Sequence, residues 1–104
     1  MKKNERIKKR IEFDEIIKTT KSSKNSFFVL HFKEKKEETS RFGIAVGTKI
    51  GNAVIRNKLK RQIREIIQEE KNLFKKDLDY IIMVRKPCLD LTYKQMKEKL
   101  TQLI

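Results

Sequence analysis

Between Lys49 and Arg64 the chain reads "KIGNAVIRNKLKRQIR", with six Lys or Arg residues and no Asp or Glu. Such residues do electrostatic chemistry. Each cation that neutralises a phosphate releases condensed counterions, and arginine can fork onto phosphates or base edges. Asn52 and Asn57 add uncharged donors. Gly51 lets a backbone come close just ahead of a helix N-terminus, which itself favours anions. Lys49, Asn52, Arg56, Asn57, Lys58, Lys60, Arg61 and Arg64 are therefore the candidate nucleic-acid contacts. Groups that break bonds are harder to assign. His31 is the only histidine, so a Ser-His-Asp or Cys-His arrangement has no assignable partners. The acids lie mainly in charged turns and on helix surfaces, as Glu34, Glu37, Glu38, Glu69 and Glu70 do, and no Gly-rich phosphate loop is present. Cys88 is the single cysteine, which excludes an internal disulfide and a Cys-rich metal site. We expect no catalytic residue and no metal-ligand set on this chain.

The chain as a whole has the same bias. It has 104 residues, enough for one domain, and 27 Lys or Arg against 14 Asp or Glu, a formal charge of +13. That charge costs self-repulsion in a compact fold and favours polyanionic partners. No apolar run approaches the ~20 residues a membrane helix needs. The basic start, "MKKNERIKKR", is not followed by an apolar stretch, so it does not read as a secretion signal, and the cytoplasm is the expected location. Residues 1–10 read as a basic arm, mobile without a partner.

The elements that must position the basic run follow from periodicity. Ile11, Phe13, Ile16 and Ile17 predict a short helix near 11–20. "SFFVLHFK" (26–33) predicts a strand with two largely apolar faces, hence one covered on both sides. "RFGIAVG" (41–47) predicts a second strand, with Phe42, Ile44 and Val46 on one face and the very small Gly43, Ala45 and Gly47 on the other. The basic run then forms a helix, roughly 52–70. Ile55, Leu59, Ile63, Ile66 and Ile67 make its apolar stripe; Arg56, Lys60 and Arg64 lie along one margin, and Asn57 and Arg61 lie opposite. "LDYIIMVR" (78–85) predicts a central strand ended by Pro87. Thr92 and Gln95 stand at capping-box spacing before a last helix that buries Met96, Leu100, Leu103 and Ile104. The order helix, strand, strand, helix, strand, helix is an α+β pattern, a two-layer sandwich of helices on a small sheet.

A charged outer face on an amphipathic helix is ordinary, but such faces usually mix signs. Here Arg56, Lys60 and Arg64 repel one another. The cations also occupy the N-terminal half, where the helix dipole disfavours them, and Glu65, Glu69 and Glu70 come late. A bound polyanion accounts for both departures. Two other readings of the charge stay open: a structural RNA-binding protein of the ribosomal kind, and a DNA-binding regulator. The second is weak, because a helix-turn-helix needs a partner helix where 41–47 reads as a strand.

At these residues the sequence resembles the protein component of bacterial ribonuclease P. The family's pattern of Gly-Asn-Ala-Val, then Arg-Asn-(Arg or Lys), Lys-Arg and Arg is matched by Gly51 to Val54, Arg56 to Lys58, Lys60, Arg61 and Arg64. The likeness extends to "FVLHF", "RFGIAVG", "DYIIMVRKP" and "LTY". It implies an α/β sandwich with a small mixed sheet, an additional short strand near Lys21–Lys24 and a left-handed βαβ crossover, as in a ribosomal-protein domain. It implies binding to a large catalytic RNA that supplies the active site and its Mg2+ ions, and assistance in removing the 5′ leader of precursor tRNA. No obligate protein partner is implied. The leader cleft, by position, would include Phe13 and Ile17 on the first helix, Val29 and His31 on the strand, and Arg85. Relatives often carry an aromatic residue where Ile17 and His31 stand.

Overall fold

The computed structural model describes residues 6–7, 17–18, 21–34 and 40–104. Along these run β1 (Ser22–Lys24), β2 (Phe28–Glu34), β3 (Phe42–Ala45), α1 (Ala53–Glu69), β4 (Leu78–Val84) and α2 (Tyr93–Thr101). The four strands form one sheet in the order β1-β2-β4-β3. β1 and β2, and β2 and β4, pair antiparallel, whereas β3 runs parallel to β4. A parallel pair cannot be joined by a tight turn, and α1 lies in the crossover between its two members.

One face of the sheet carries the core. Phe28 and Leu30 of β2, Tyr80, Ile82 and Val84 of β4, and Phe42 of β3 pack with Leu59, Ile63, Ile66 and Ile67 of α1 and Met96 and Leu100 of α2. The Phe42 ring stacks on Tyr80 at 5.7 Å, and Phe74 meets both edge-on at 5.1 Å. These pairs hold the end of α1's return loop against the sheet, beyond what burial alone contributes. The Tyr80 hydroxyl accepts from the Lys75 N–H at 2.9 Å in the same loop. The start of β3 is pinned separately. Asp79 accepts from the Arg41 amide at 2.8 Å and from its guanidinium at 3.2 Å, with both side chains nearly buried.

The predicted elements are present, with differences that have local causes. The helix at 52–70 runs over Ala53–Glu69, and the Thr92–Gln95 capping box forms. The additional short strand is β1. β4 is central, as its apolar run requires. The predicted double covering of 26–33 does not hold. Phe28 and Leu30 are buried, but Val29 and His31 are only half-buried, whereas Ile81, paired with His31 on the same face, is fully buried: the second face is covered over β4 more than over β2. Ile55 is 39% exposed: it sits on α1's stripe but in the first turn, beyond the edge of the core. Ile104 is 40% exposed because α2 ends at Thr101. Of the helix expected at 11–20, only Ile17 and Lys18 lie among the described residues. Ile17 is helical and packs with Ile7, Ile81 and Met83.

Candidate nucleic-acid interface

The N-terminus of α1 is built by its own sequence. Asn52 is the N-cap, and its Oδ1 accepts from the Ile55 N–H at 3.0 Å. A capped start leaves the first-turn amides of Ala53 and Val54 without intrahelical acceptors. The Asn52 Oδ1 is committed to the cap, so the donor it can offer a ligand is its amide nitrogen. Gly51 precedes it in extended backbone. Its need for glycine is spatial: a Cβ there would stand 3.1–3.2 Å from the Ile55 side chain. The Arg56 Nε donates to the Gly51 carbonyl at 3.1 Å, so this arginine braces the turn as well as facing outward. Lys49 is exposed in a single 3-10 turn, Thr48–Ile50, which is anchored by the buried Ile50.

The eight predicted contact residues lie in this turn and along α1 as far as Arg64. Asn57, Lys58 and Arg61 are exposed, while Arg56, Lys60 and Arg64 are half-buried along the margin, as the 100° periodicity requires. Of the acids that follow, Glu65 is exposed beside Arg64, while Glu69 and Glu70 are engaged by α2. Glu69 accepts from Lys97 and from the Tyr93 hydroxyl on α2, and Glu70 is 3.3 Å from Lys97. The hydrogen bond from Lys97, then that from Tyr93, holds the Glu69 carboxyl below the usual carboxylate range. Tyr93 is pushed up to about 12, by burial first and by Glu69 second. Glu69 and Glu70 are tied to α2 at the far end of the helix, so the cationic N-terminal half keeps its field.

The second face of the sheet holds the other predicted cluster. Strand register sets two rows across it: Ser22, His31, Ile81 and Gly43, then Lys24, Val29, Met83 and Ala45. Ile17 lies over Ile81 and Met83. Val29, His31 and Ile17 are thus brought to one half-open apolar surface. Arg85 stands past the end of β4, exposed, and donates to the Asn25 carbonyl at 3.2 Å. Phe13 lies outside the described residues. The His31 Nδ1 is buried and has no hydrogen-bond partner, and burial lowers the pKa of the ring. A neutral imidazole set among apolar neighbours can stack on a base and still accept one hydrogen bond.

Sequence periodicity did not point to Arg6 and Ile7. Ile7 is 5% exposed, donates its N–H to the Phe42 carbonyl at 3.0 Å and shares a small cluster with Ile81. A lone apolar residue in a basic run was the available signal. Cys88 is buried among core side chains, with its thiol pushed up to about 11 by burial. Among the described residues no three His, Cys, Asp or Glu converge on a metal position, and no helix is long and apolar enough to cross a membrane. Residues 42–45 are a strand, so α1 has no upstream partner helix for a helix-turn-helix.

Comparison with known proteins supplies what the geometry leaves general. The family model of ribonuclease P matches residues 1–104. Ribonuclease P protein components of Bacillus cereus and Bacillus anthracis are 44% identical over 101 residues, covering 96% of this chain and 88% and 85% of theirs. The solved RNase P protein of Thermotoga maritima superposes with a TM-score of 0.85 at 36% identity, covering 94% of this chain and 93% of that one. That of Staphylococcus aureus also gives 0.85, at 39% identity, covering 95% and 91%. The chain belongs to the family of ribonuclease P protein components, the protein part of a tRNA-processing endoribonuclease whose catalysis is carried by RNA.

Proposed function

We propose that this chain binds the catalytic RNA of ribonuclease P through Lys49, Asn52, Arg56, Asn57, Lys58, Lys60, Arg61 and Arg64, and steadies the 5′ leader of precursor tRNA on the second face of the sheet. The observation that carries the RNA face is the acid-free cationic half of α1: Glu65 comes only after Arg64, and the later Glu69 and Glu70 are engaged by α2. Phosphates complete what helix pairing and the dipole leave unfavourable. For the leader, Ile17, Val29 and His31 offer an apolar floor, with Arg85 as a cation at one end and Phe13 assigned by resemblance. Single strands are commonly held in this way, by stacking with little sequence reading. The protein's part is then electrostatic and positional: it lowers repulsion between RNA strands and orients the leader. The Mg2+ needed for cleavage is assigned to the RNA.

The test is to mix the purified protein with a bacterial ribonuclease P RNA and a precursor tRNA at low magnesium. Leader cleavage should rise. No rise would return the chain to the general class of structural RNA-binding proteins. For the cleft, Phe13→Ala should weaken binding of a precursor with its leader and leave mature tRNA unaffected; equal loss on both would make Phe13 a core residue.

A further inference from the structure

The row Lys24, Val29, Met83 and Ala45 crosses all four strands on the second face of the sheet. Residues paired across neighbouring strands project to the same side, so Lys24 shares the face of Val29. With strands about 4.8 Å apart, the row spans roughly 14 Å from β3 to the β1 margin. Val29, Met83 and Ala45 are half-buried, and Lys24 at the end is exposed. Its ammonium has no hydrogen-bond or ion-pair partner among the described residues. Neither this row nor its neighbour, Ser22, His31, Ile81 and Gly43, contains a carboxylate.

The turn that follows Lys24 is fixed from several directions. The Asn25 Oδ1 accepts from the Phe27 and Phe28 amides, each at 2.9 Å, and its Nδ2 donates to the Lys99 carbonyl at 2.8 Å. The Asn25 carbonyl accepts from the Arg85 guanidinium at 3.2 Å, which brings that cation against the residue next to Lys24. A cation on a fixed backbone loses less freedom on binding than one on a loose turn.

We propose that Lys24 holds a phosphate of the 5′ leader, at a nucleotide farther from the cleavage site than those lying on Val29 and His31. This rests on the leader reading above and adds a residue to it. The direction follows from the sheet order. The catalytic RNA is assigned to α1, which adjoins β3, so a leader leaving it meets β4 and β2 before β1. The consequence is dependence on leader length. A leader too short to cross β2 stops on the apolar floor, and only a longer one reaches the cation. The floor takes bases with little regard to identity and the cation takes backbone, so the discrimination is by length rather than by sequence.

The test measures binding to the assembled protein–RNA holoenzyme with three substrates: mature tRNA, a precursor whose leader is cut back to the cleavage site's immediate neighbours, and a precursor with a long leader. Lys24→Ala should lower the salt slope for the long-leader precursor by roughly 0.7, the value of one contact to a single-strand phosphate, and leave the other two substrates unchanged. Lys24→Arg should keep the slope, and Lys24→Gln should lose it as alanine does. Uncharged methylphosphonate groups are then placed at one linkage of the long leader at a time. One linkage should weaken binding to the unaltered protein and have no further effect in Lys24→Ala, because both changes remove the same contact. An unchanged slope in Lys24→Ala, with His31→Ala still weakening the long-leader precursor relative to mature tRNA, would overturn the contact and leave the leader floor standing. Equal losses on all three substrates would move Lys24 to the catalytic RNA or the tRNA body, and overturn it too. If His31→Ala also fails to separate the long-leader precursor from mature tRNA, the leader reading has failed and the Lys24 contact fails with it.

Discussion

Arg61→Ala separates charge from scaffold on α1. Arg61 is exposed, opposite the apolar stripe, and makes no hydrogen bond or ion pair with the described residues. Its removal should change folding stability by no more than about 0.5 kcal/mol, as for surface positions generally. Its effect should appear in RNA binding. Losing one phosphate contact lowers the salt slope by roughly 0.7 for single strands and 0.9 for duplex, so the deficit relative to the unaltered protein shrinks roughly five- to eightfold over a tenfold rise in salt. Arg56→Ala is the informative partner. It should show a similar slope change and also lose the Nε bond to the Gly51 carbonyl, worth about 0.5–1.5 kcal/mol of stability. Filter binding or calorimetry from 50 to 500 mM salt, roughly the range where such slopes are read, with urea unfolding alongside, checks both. An unchanged slope in Arg61→Ala would refute phosphate contact at this residue. Equal stability loss in the two variants would refute the separate bracing role of Arg56.

Asp79→Ala should destabilise by about 3–5 kcal/mol, because it removes a nearly buried carboxylate that accepts from both the Arg41 amide and its guanidinium; a urea-midpoint shift worth under about 1 kcal/mol would refute this. Ile63→Ala, fully buried mid-helix, should lose about 2–5 kcal/mol by the same assay, and a loss near zero would mean the helix layer collapses around the gap. The Cys88 thiol, raised from 9.0 to about 11, should resist alkylation at pH 8 in the folded protein and react freely in urea. Folding holds that proton more tightly, so its contribution to stability is full below pH 9 and is lost as pH rises toward 11. Equal alkylation rates in the folded and unfolded chain would show the burial to be wrong.

Where local pattern alone decides the outcome, the sequence was legible. Thr92 with Gln95, the apolar run of β4 and the Leu59–Ile63–Ile66–Ile67 stripe each specify their element within a few residues. The stripe also fixes which cations face outward, so the face proposed for RNA could be delimited before any fold was known. Depth in the sheet could not. The half-burial of Val29 and His31 depends on what covers the second face, a question of tertiary arrangement that alternation in β2 cannot answer. β1 was invisible to pattern, and only the family resemblance supplied it: Ser22–Lys24 is three polar residues long and exists as a strand only because β2 offers it a ladder. The seat of Ile7 on Phe42 is also non-local, and one apolar side chain in a basic run carries too little periodicity to announce it.

The sheet's proportions also bear on how the subunit survives before it meets RNA. Its two long strands, β2 and β4, are both internal, while its margins are the three-residue β1 and the four-residue β3. The β1 margin ends in an exposed lysine, and the β3 margin has its Phe42 carbonyl already taken by Ile7. A second copy seeking to extend the sheet would find only a few rungs to pair with, and would bring a charge of +13 against another of the same sign. A newly made chain is therefore poorly equipped to aggregate through its strands, and its charge leaves polyanions as the favoured company.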